Sequence, residues 1–219
     1  MAKETSRDLP AEGRVRTAWI ITGGHCRPDV FRRYPTRADL VIAADAGHLT
    51  AEAAGITPDL VCGDFDSSAP PHGVRVVRVP AEKDDTDTML ACDLAAREGA
   101  EELVLFGGTG GRVDHSLSNL FWLEALHQRG IRAILTDGDN RVRLLENESI
   151  CLAPDGFRYF SLLALTEATV SLCGCRYPLA DAPLRRALPY AVSNEITSAF
   201  AEITVSGGPV LLIESDCTL

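Results

Sequence analysis

Lysine is nearly missing. Lys3 and Lys83 are the only two among 21 basic residues, set against 31 acidic ones, and the net charge over 219 residues is −10. A nucleic-acid binder presents a basic surface, and no basic run occurs here, so nucleic acid is not an expected partner. Long hydrophobic runs are lacking too. The longest is five residues, Leu40 to Ala44, whereas a membrane-spanning helix needs about 20. The opening stretch, MAKETSRDLPAEGR, is polar and has no apolar segment behind it, so no secretory leader is expected. Nor is there a zinc pattern. Of seven cysteines (26, 62, 92, 151, 173, 175, 217), only Cys173-Gly-Cys175 form a close pair, with no second pair or His pair near them. An odd number of cysteines, several in apolar stretches (LVCGD, MLACDL, SICLA), suits reduced, buried thiols in a cytoplasm.

What is present reads as a folded chain of one large or two small domains. The hydrophobic share is 46% and the charged share 24%. Residues 1–16 read as a flexible lead-in. Strands are then expected at 18–22, 39–44, 59–62, 74–79, 102–106 and 131–135, with helices at 48–54, 85–98 and 114–129, the last burying Leu117, Leu120, Phe121 and Leu123 on one side. This alternation predicts a mainly parallel sheet covered on both faces. After about Thr136 the pattern changes to short β-like runs: RVRLL, SICLA, FRYFSLLAL, ATVSL, AEITVS and PVLLIE. The fold class expected is α/β: an N-terminal parallel α/β sandwich domain, 1–137, followed by a smaller antiparallel β-sandwich domain, 138–219.

Three segments carry the chemistry, each just after an expected strand, where open α/β sheets bind ligands. Gly63-Asp64-Phe65-Asp66-Ser67 and Lys83-Asp84-Asp85-Thr86-Asp87 supply five aspartates within 24 residues. Carboxylates gathered closely repel unless a cation joins them, and hard oxygen donors without His or Cys favour Mg²⁺ over zinc. Helix capping explains Asp84 or Asp85 equally well, but not Asp64 and Asp66. The third segment, Gly107-Gly108-Thr109-Gly110-Gly111-Arg112-Val113-Asp114-His115, joins a strand to a helix. Its glycines allow close backbone approach to a phosphate, and Arg112 at a helix N-terminus calls for an anion, either a phosphate or a nearby Asp. Asp114 reads equally as a cap or a ligand contact, and His115 equally as a surface or a catalytic histidine.

In these residues the sequence resembles the thiamine pyrophosphokinases, whose GDxDS, KDxTD and GGxxGRxDH stretches occur in that order. The likeness continues through Cys175-Arg176-Tyr177-Pro178-Leu179 and Val192-Ser193-Asn194-Glu195. The resemblance implies a cytoplasmic homodimer with sites at the subunit interface, in which ATP donates its β,γ-diphosphoryl unit to the hydroxyl of thiamine and AMP leaves. It makes 1–137 the ATP- and Mg²⁺-binding catalytic domain and 138–219 the thiamine-binding and dimerisation domain. It assigns Mg²⁺ to Asp64, Asp66 and Asp87, and catalysis to these with Arg112. Substrate contacts fall to Asp45, Lys83, Asp84, Thr86, Gly108, Gly111, Asp114 and His115, and on the thiamine side to Ser193 and Asn194. A related hydroxymethylpterin pyrophosphokinase and a non-catalytic nucleotide or thiamine diphosphate sensor are the alternatives. Two departures stand out. The family often has ADGG where this chain has Ala44-Asp45-Ala46-Gly47, so a left-handed backbone at Ala46 would be strained. Also, Pro209–Glu214 lacks the tryptophan that some members stack on thiamine.

Overall fold

The computed structural model describes residues 16–34, 38–65, 71–78 and 86–216. The chain divides into two units, Met1–Gly138 and Asp139–Leu219. The first holds six strands: β1 (Thr17–Ile21), β2 (Leu40–Ala44), β3 (Leu60–Gly63), β4 (Arg75–Arg78), β5 (Glu102–Phe106) and β6 (Arg132–Thr136). They pair in the order β4-β3-β2-β1-β5-β6, every pair parallel. β1, β2, β3 and β5 are apolar and buried on both faces, as a covered parallel sheet requires. The edge strand β4 instead exposes Arg75 and Arg78, charges that discourage pairing with another chain.

Strand order reverses between β1 and β5. The chain runs outward from β1 through β2, β3 and β4, then returns to the other side of β1. Such a switch point opens a crevice at the carboxyl ends of the strands. Below it lies an aromatic cluster. Phe106, at the end of β5, is fully buried, with ring centroids 4.5 Å from Phe31 and 5.2 Å from Trp19. Phe31 comes from a 3-10 helix, Val30–Arg33.

Three helices complete this unit: α1 (Gly47–Ala53), α2 (Asp87–Arg97) and α3 (Val113–Gln128). α2 buries Ala91, Cys92 and Ala95, small residues that let it lie close to β1, β2 and β3. Its N-cap is Thr86, whose Oγ1 accepts from Met89 N at 3.2 Å. The helix therefore starts later than expected, and the cap expected at Asp84 or Asp85 lies outside the described residues. α3 presents a different face from the one expected. It buries Asn119, Leu123 and Leu126, whereas Leu117 and Phe121 are 45% and 52% exposed, in line with Val113 at 71%. The helix is apolar on more than one side, and its sequence does not mark which side meets the sheet.

The second unit is antiparallel. β7 (Asn140–Leu145), β13 (Val210–Ser215) and β9 (Tyr159–Ala164) pair in that order. The other four strands run β11 (Leu179–Arg185), β10 (Glu167–Cys173), β12 (Ala201–Gly207) and β8 (Glu148–Leu152). Inward residues alternate along β9 and β10, and one cluster that includes Phe160, Leu162, Val170, Leu172, Ile203, Val205 and Leu212 fills the core. A buried charge is matched there: Arg141 donates to both oxygens of Glu214 at 2.7 Å. β11 is not among the expected strands, and it contains Pro183. It pairs only with β10, and an edge strand tolerates a residue that cannot donate.

Removing the central ring of the aromatic cluster tests this packing. Phe106→Ala is expected to cost about 3–5 kcal/mol and to lower the Tm by roughly 6–20 °C in a thermal melt. A shift below about 2 °C would contradict the cluster's role.

Candidate active site

The switch point is built from glycine. A Cβ at Gly24, after β1, would lie 1.9 Å from Gly107 O, and one at Gly107 would lie 3.0 Å from Gly24 O. The loops after β1 and β5 therefore interlock only because both lack side chains. Gly107, Gly110 and Gly111 adopt positive φ of 79°, 85° and 64°, conformations costly for other residues. The loop runs into α3, whose N-cap is Arg112, so the helix's unpaired amides face the same region.

Arg112 closes on Asp114. Its Nε donates to Oδ1 at 3.1 Å and its Nη2 to Oδ2 at 2.5 Å. Of the two partners open for Arg112, the neighbouring carboxylate is engaged in this structure. The Arg112 hydrogen bond holds the Asp114 carboxyl below the ordinary range, and Asp114 in turn raises Arg112. Both side chains are largely exposed, so the pair is weak and exchangeable for a stronger anion. Asp114 does not cap α3; its Oδ1 accepts from His115 N at 2.9 Å. His115 is exposed.

The acidic residues meet at Cys62. Its carbonyl accepts from Asp45 N at 2.7 Å, and its thiol donates to Asp87 O at 3.9 Å. Asp64 follows two residues later. Thus Asp45 after β2, Asp64 after β3 and Asp87 at the start of α2 lie at the same end of the sheet. Asp45 has φ 46°. His48, buried in α1, donates Nδ1–H to Asp45 O at 2.8 Å and holds this turn. The strain expected at Ala46 is not there: its φ is −65°, and the left-handed residue is Asp45, a type that tolerates that region. Ala46 instead needs Gly23, where a Cβ would come within 2.8 Å of its own. Among the described residues no three His, Cys, Asp or Glu side chains form a metal-binding group. Asp66, Lys83, Asp84 and Asp85 lie outside the described residues.

In the second unit, Ser193 is exposed and left-handed, φ 56°, with its N–H bonded to Ser161 Oγ at 3.0 Å. Asn194 is buried, and its amide holds backbone: Oδ1 accepts from Tyr177 N at 3.0 Å and Nδ2 donates to Tyr177 O at 2.9 Å. Beside it is a cavity of about 300 Å³, lined by Leu172, Tyr177, Leu179, Tyr190, Ala191, Val192 and Asn194.

Similarity now decides the family. Residues 31–135 match the thiamin pyrophosphokinase catalytic domain, and residues 147–210 match the thiamin pyrophosphokinase vitamin B1 binding domain. The chain belongs to the thiamin pyrophosphokinase family. It is 30% identical to the thiamine pyrophosphokinase of Bacillus subtilis over 213 residues, 92% of this chain and 99% of that one. Thiamin pyrophosphokinase 1 of Caenorhabditis elegans is 27% identical over 180 residues, 72% of this chain and 70% of that one. The crystal structure of the Bacillus subtilis protein superposes with a TM-score of 0.82 at 27% identity, covering 92% of this chain and all of that one. The Candida albicans thiamin pyrophosphokinase shares the fold, with a TM-score of 0.77 at 15% identity over 92% of this chain and 90% of that one.

Several residues that contact the loops and the cavity described above escaped the sequence reading: Thr22, Gly24, His48, Asn119 and Asp137 in the first unit and Tyr190 in the second. Thr22-Gly23-Gly24 directly after a strand was the available signal for the first two. Among the described cysteines none forms a disulfide; Cys62, Cys92 and Cys175 are buried as expected, whereas Cys151 and Cys173 are exposed, because they fall on the outward side of their strands. Burial, with Asp137 and Asp29 adding to it, pushes the Cys26 thiol up to about 12, and burial pushes Cys92 to about 12. Since the thiolate is the reactive form, iodoacetamide at pH 8 is expected to label exposed Cys151 and Cys173 and spare Cys26, Cys62 and Cys92. Peptide mass spectrometry reads this, and Cys26 labelled as fast as Cys151 would contradict it.

Proposed function

We propose that this chain is a thiamine pyrophosphokinase, an ATP-dependent diphosphotransferase that converts thiamine to thiamine diphosphate and releases AMP. The observation that carries the reading is a glycine loop after β5 and acidic residues after β2, after β3 and at the start of α2, all at the carboxyl end of one parallel sheet, in a chain matched along both units to this family. Neither alternative, a pterin pyrophosphokinase or a sensor, is favoured.

The donor set suits a hard cation: Asp64, Asp66 and Asp87 would hold Mg²⁺, which when bound neutralises phosphate oxygens of ATP. The chain's own groups do the rest. Gly108, Gly111 and the α3 N-terminus receive the phosphates through backbone amides. Arg112 exchanges Asp114 for the transferred diphosphoryl unit, a bidentate partner. Asp45, Lys83, Asp84, Thr86, Asp114 and His115 complete the substrate-binding set. The thiamine hydroxyl oxygen forms a bond to the β-phosphorus, and the bond from that phosphorus to the α,β-bridging oxygen breaks. AMP leaves with that oxygen, and an aspartate of the cluster takes the hydroxyl proton.

Thiamine carries two flat heteroaromatic rings joined by a methylene, one of them a thiazolium cation, and the cavity lined by Asn194 offers it two tyrosine rings. Tyr190 and Tyr177 are 51% and 57% exposed, and although Arg176 lies over one face of Tyr177, both rings line the cavity and can meet a ligand. They supply the aromatic contact that Pro209–Glu214 lacks. The exposed apolar residues Val113, Leu117 and Phe121, and Leu188, Val192 and Phe200, support a homodimer with its sites at the subunit interface. Free thiols support a cytoplasmic setting. Among the described residues no helix is long and apolar enough to cross a membrane.

Incubation with ATP, Mg²⁺ and thiamine, with nucleotides separated afterwards, tests the reaction. AMP should appear only when thiamine is present; ADP, or AMP regardless of acceptor, would overturn the reading. Asp64→Asn should cut turnover by about 100-fold or more while leaving the thermal melt near wild type. Tyr190→Ala should raise KM for thiamine about 5–30-fold, corresponding to loss of roughly 1–2 kcal/mol of ring contact, with KM for ATP unchanged. An unaltered KM for thiamine would remove Tyr190 from the site.

A further inference from the structure

Three buried polar side chains from three different places touch the glycine loop, and none has a task in the reaction as described. Thr22, just after β1, donates its hydroxyl toward Gly107 O at 2.7 Å and Phe106 O at 3.0 Å. Asn119, on the buried side of α3, donates Nδ2–H to Gly108 O at 2.8 Å. Asp137, just after β6, accepts from Thr109 Oγ1. They are 6%, 8% and 5% exposed. Burying polar groups is unfavourable without partners, and for these three the partner is the loop.

The other side of the loop is different. Among the described residues, no backbone bond is donated by Gly108, Thr109, Gly110 or Gly111. The peptide bonds are trans, so within each unit the carbonyl and the following N–H point in opposite directions. Tying Gly107 O and Gly108 O back to Thr22 and Asn119 therefore aims the amides of Gly108 and Thr109 away from those anchors. The successive left-handed glycines 110 and 111 extend the same amide-bearing concavity.

We propose that Thr22, Asn119 and Asp137 are positioning residues that fix the glycine loop by its carbonyl and hydroxyl side, so that its amides stand ready for the triphosphate. The proposal rests on the reading that this loop receives ATP phosphates. None of the three touches substrate; each acts through the loop. Their bonds to the loop fall on Gly107, Gly108 and Thr109, so the effect expected is on the triphosphate.

The test uses the full chain and a non-transferable ATP analogue with a methylene α,β bridge, bound in the presence of Mg²⁺ and measured by calorimetry, alongside steady-state constants for both substrates. Thr22→Val removes the hydroxyl at nearly constant volume, and Asn119→Asp replaces the donor with a carboxylate. Each should weaken analogue binding by about 3–10-fold, the loss of one such bond, with KM for thiamine within about twofold of wild type. Thr22→Ser, which keeps the hydroxyl, should bind like wild type. Wild-type affinity in Thr22→Val, an equal rise in both KM values, or Thr22→Ser as weak as Thr22→Val would overturn the proposal. If Thr22→Val fails to fold, Asn119→Asp and Thr109→Val decide by the same constants. A wild-type chain that binds the analogue but makes no AMP removes the thiamine reading and leaves this one standing; one that does not bind the analogue removes both.

Discussion

The site depends on one close contact: the backbone after β1 lies against the backbone after β5 with no room for a side chain at Gly24. A parallel sheet whose order reverses between those strands must open there. What fills the opening is peptide backbone, and its carbonyls are tied into the protein by Thr22 and Asn119. The amides that result, with the start of α3, form a surface of positive potential in a chain whose net charge is −10. A polyanion is otherwise repelled by such a chain. In the proposed function the field that receives it would come from dipoles set by the fold rather than from lysines, of which there are two.

The carboxylates obey the opposite logic. Asp45, Asp64 and Asp87 come from three separate chain segments, and Cys62 is the hub that links two of their backbones while leading into the third. It is their backbones that this contact joins; among the described residues the side chains do not form a three-membered group, and the proposed Mg²⁺ would supply the cation that carboxylates at one sheet end call for.

Much of this could be read from residues alone. Alternating apolar runs and glycine stops located the strands and helices of the first unit, because buried parallel strands and helix ends follow strong local rules. The three motif segments were legible because their residue types are unusual for their positions. What stayed hidden had no local signal. Leu117 and Phe121 look as buriable as Leu123 and Leu126, and only the sheet decides which side of α3 it covers. The run Leu179–Arg185 contains Pro183 and lacks a regular apolar alternation, and the edge position of β11 tolerates both. Asn119 and Asp137 are ordinary polar residues until the fold sets them 11 and 28 positions away from the loop residues they hold. At Ala46 the expected strain falls one residue earlier, on an aspartate, because α1 begins sooner than the motif suggested.

Amide hydrogen exchange resolved by residue, with and without the α,β-methylene ATP analogue and Mg²⁺, reports on the central claim most directly. The account predicts rapid exchange at Gly108, Thr109, Gly110 and Gly111 in the free protein and strong protection of these amides once the analogue is bound, since nothing but the phosphates would then occupy them. Unchanged exchange at all four, with protection appearing elsewhere in the chain, would contradict it.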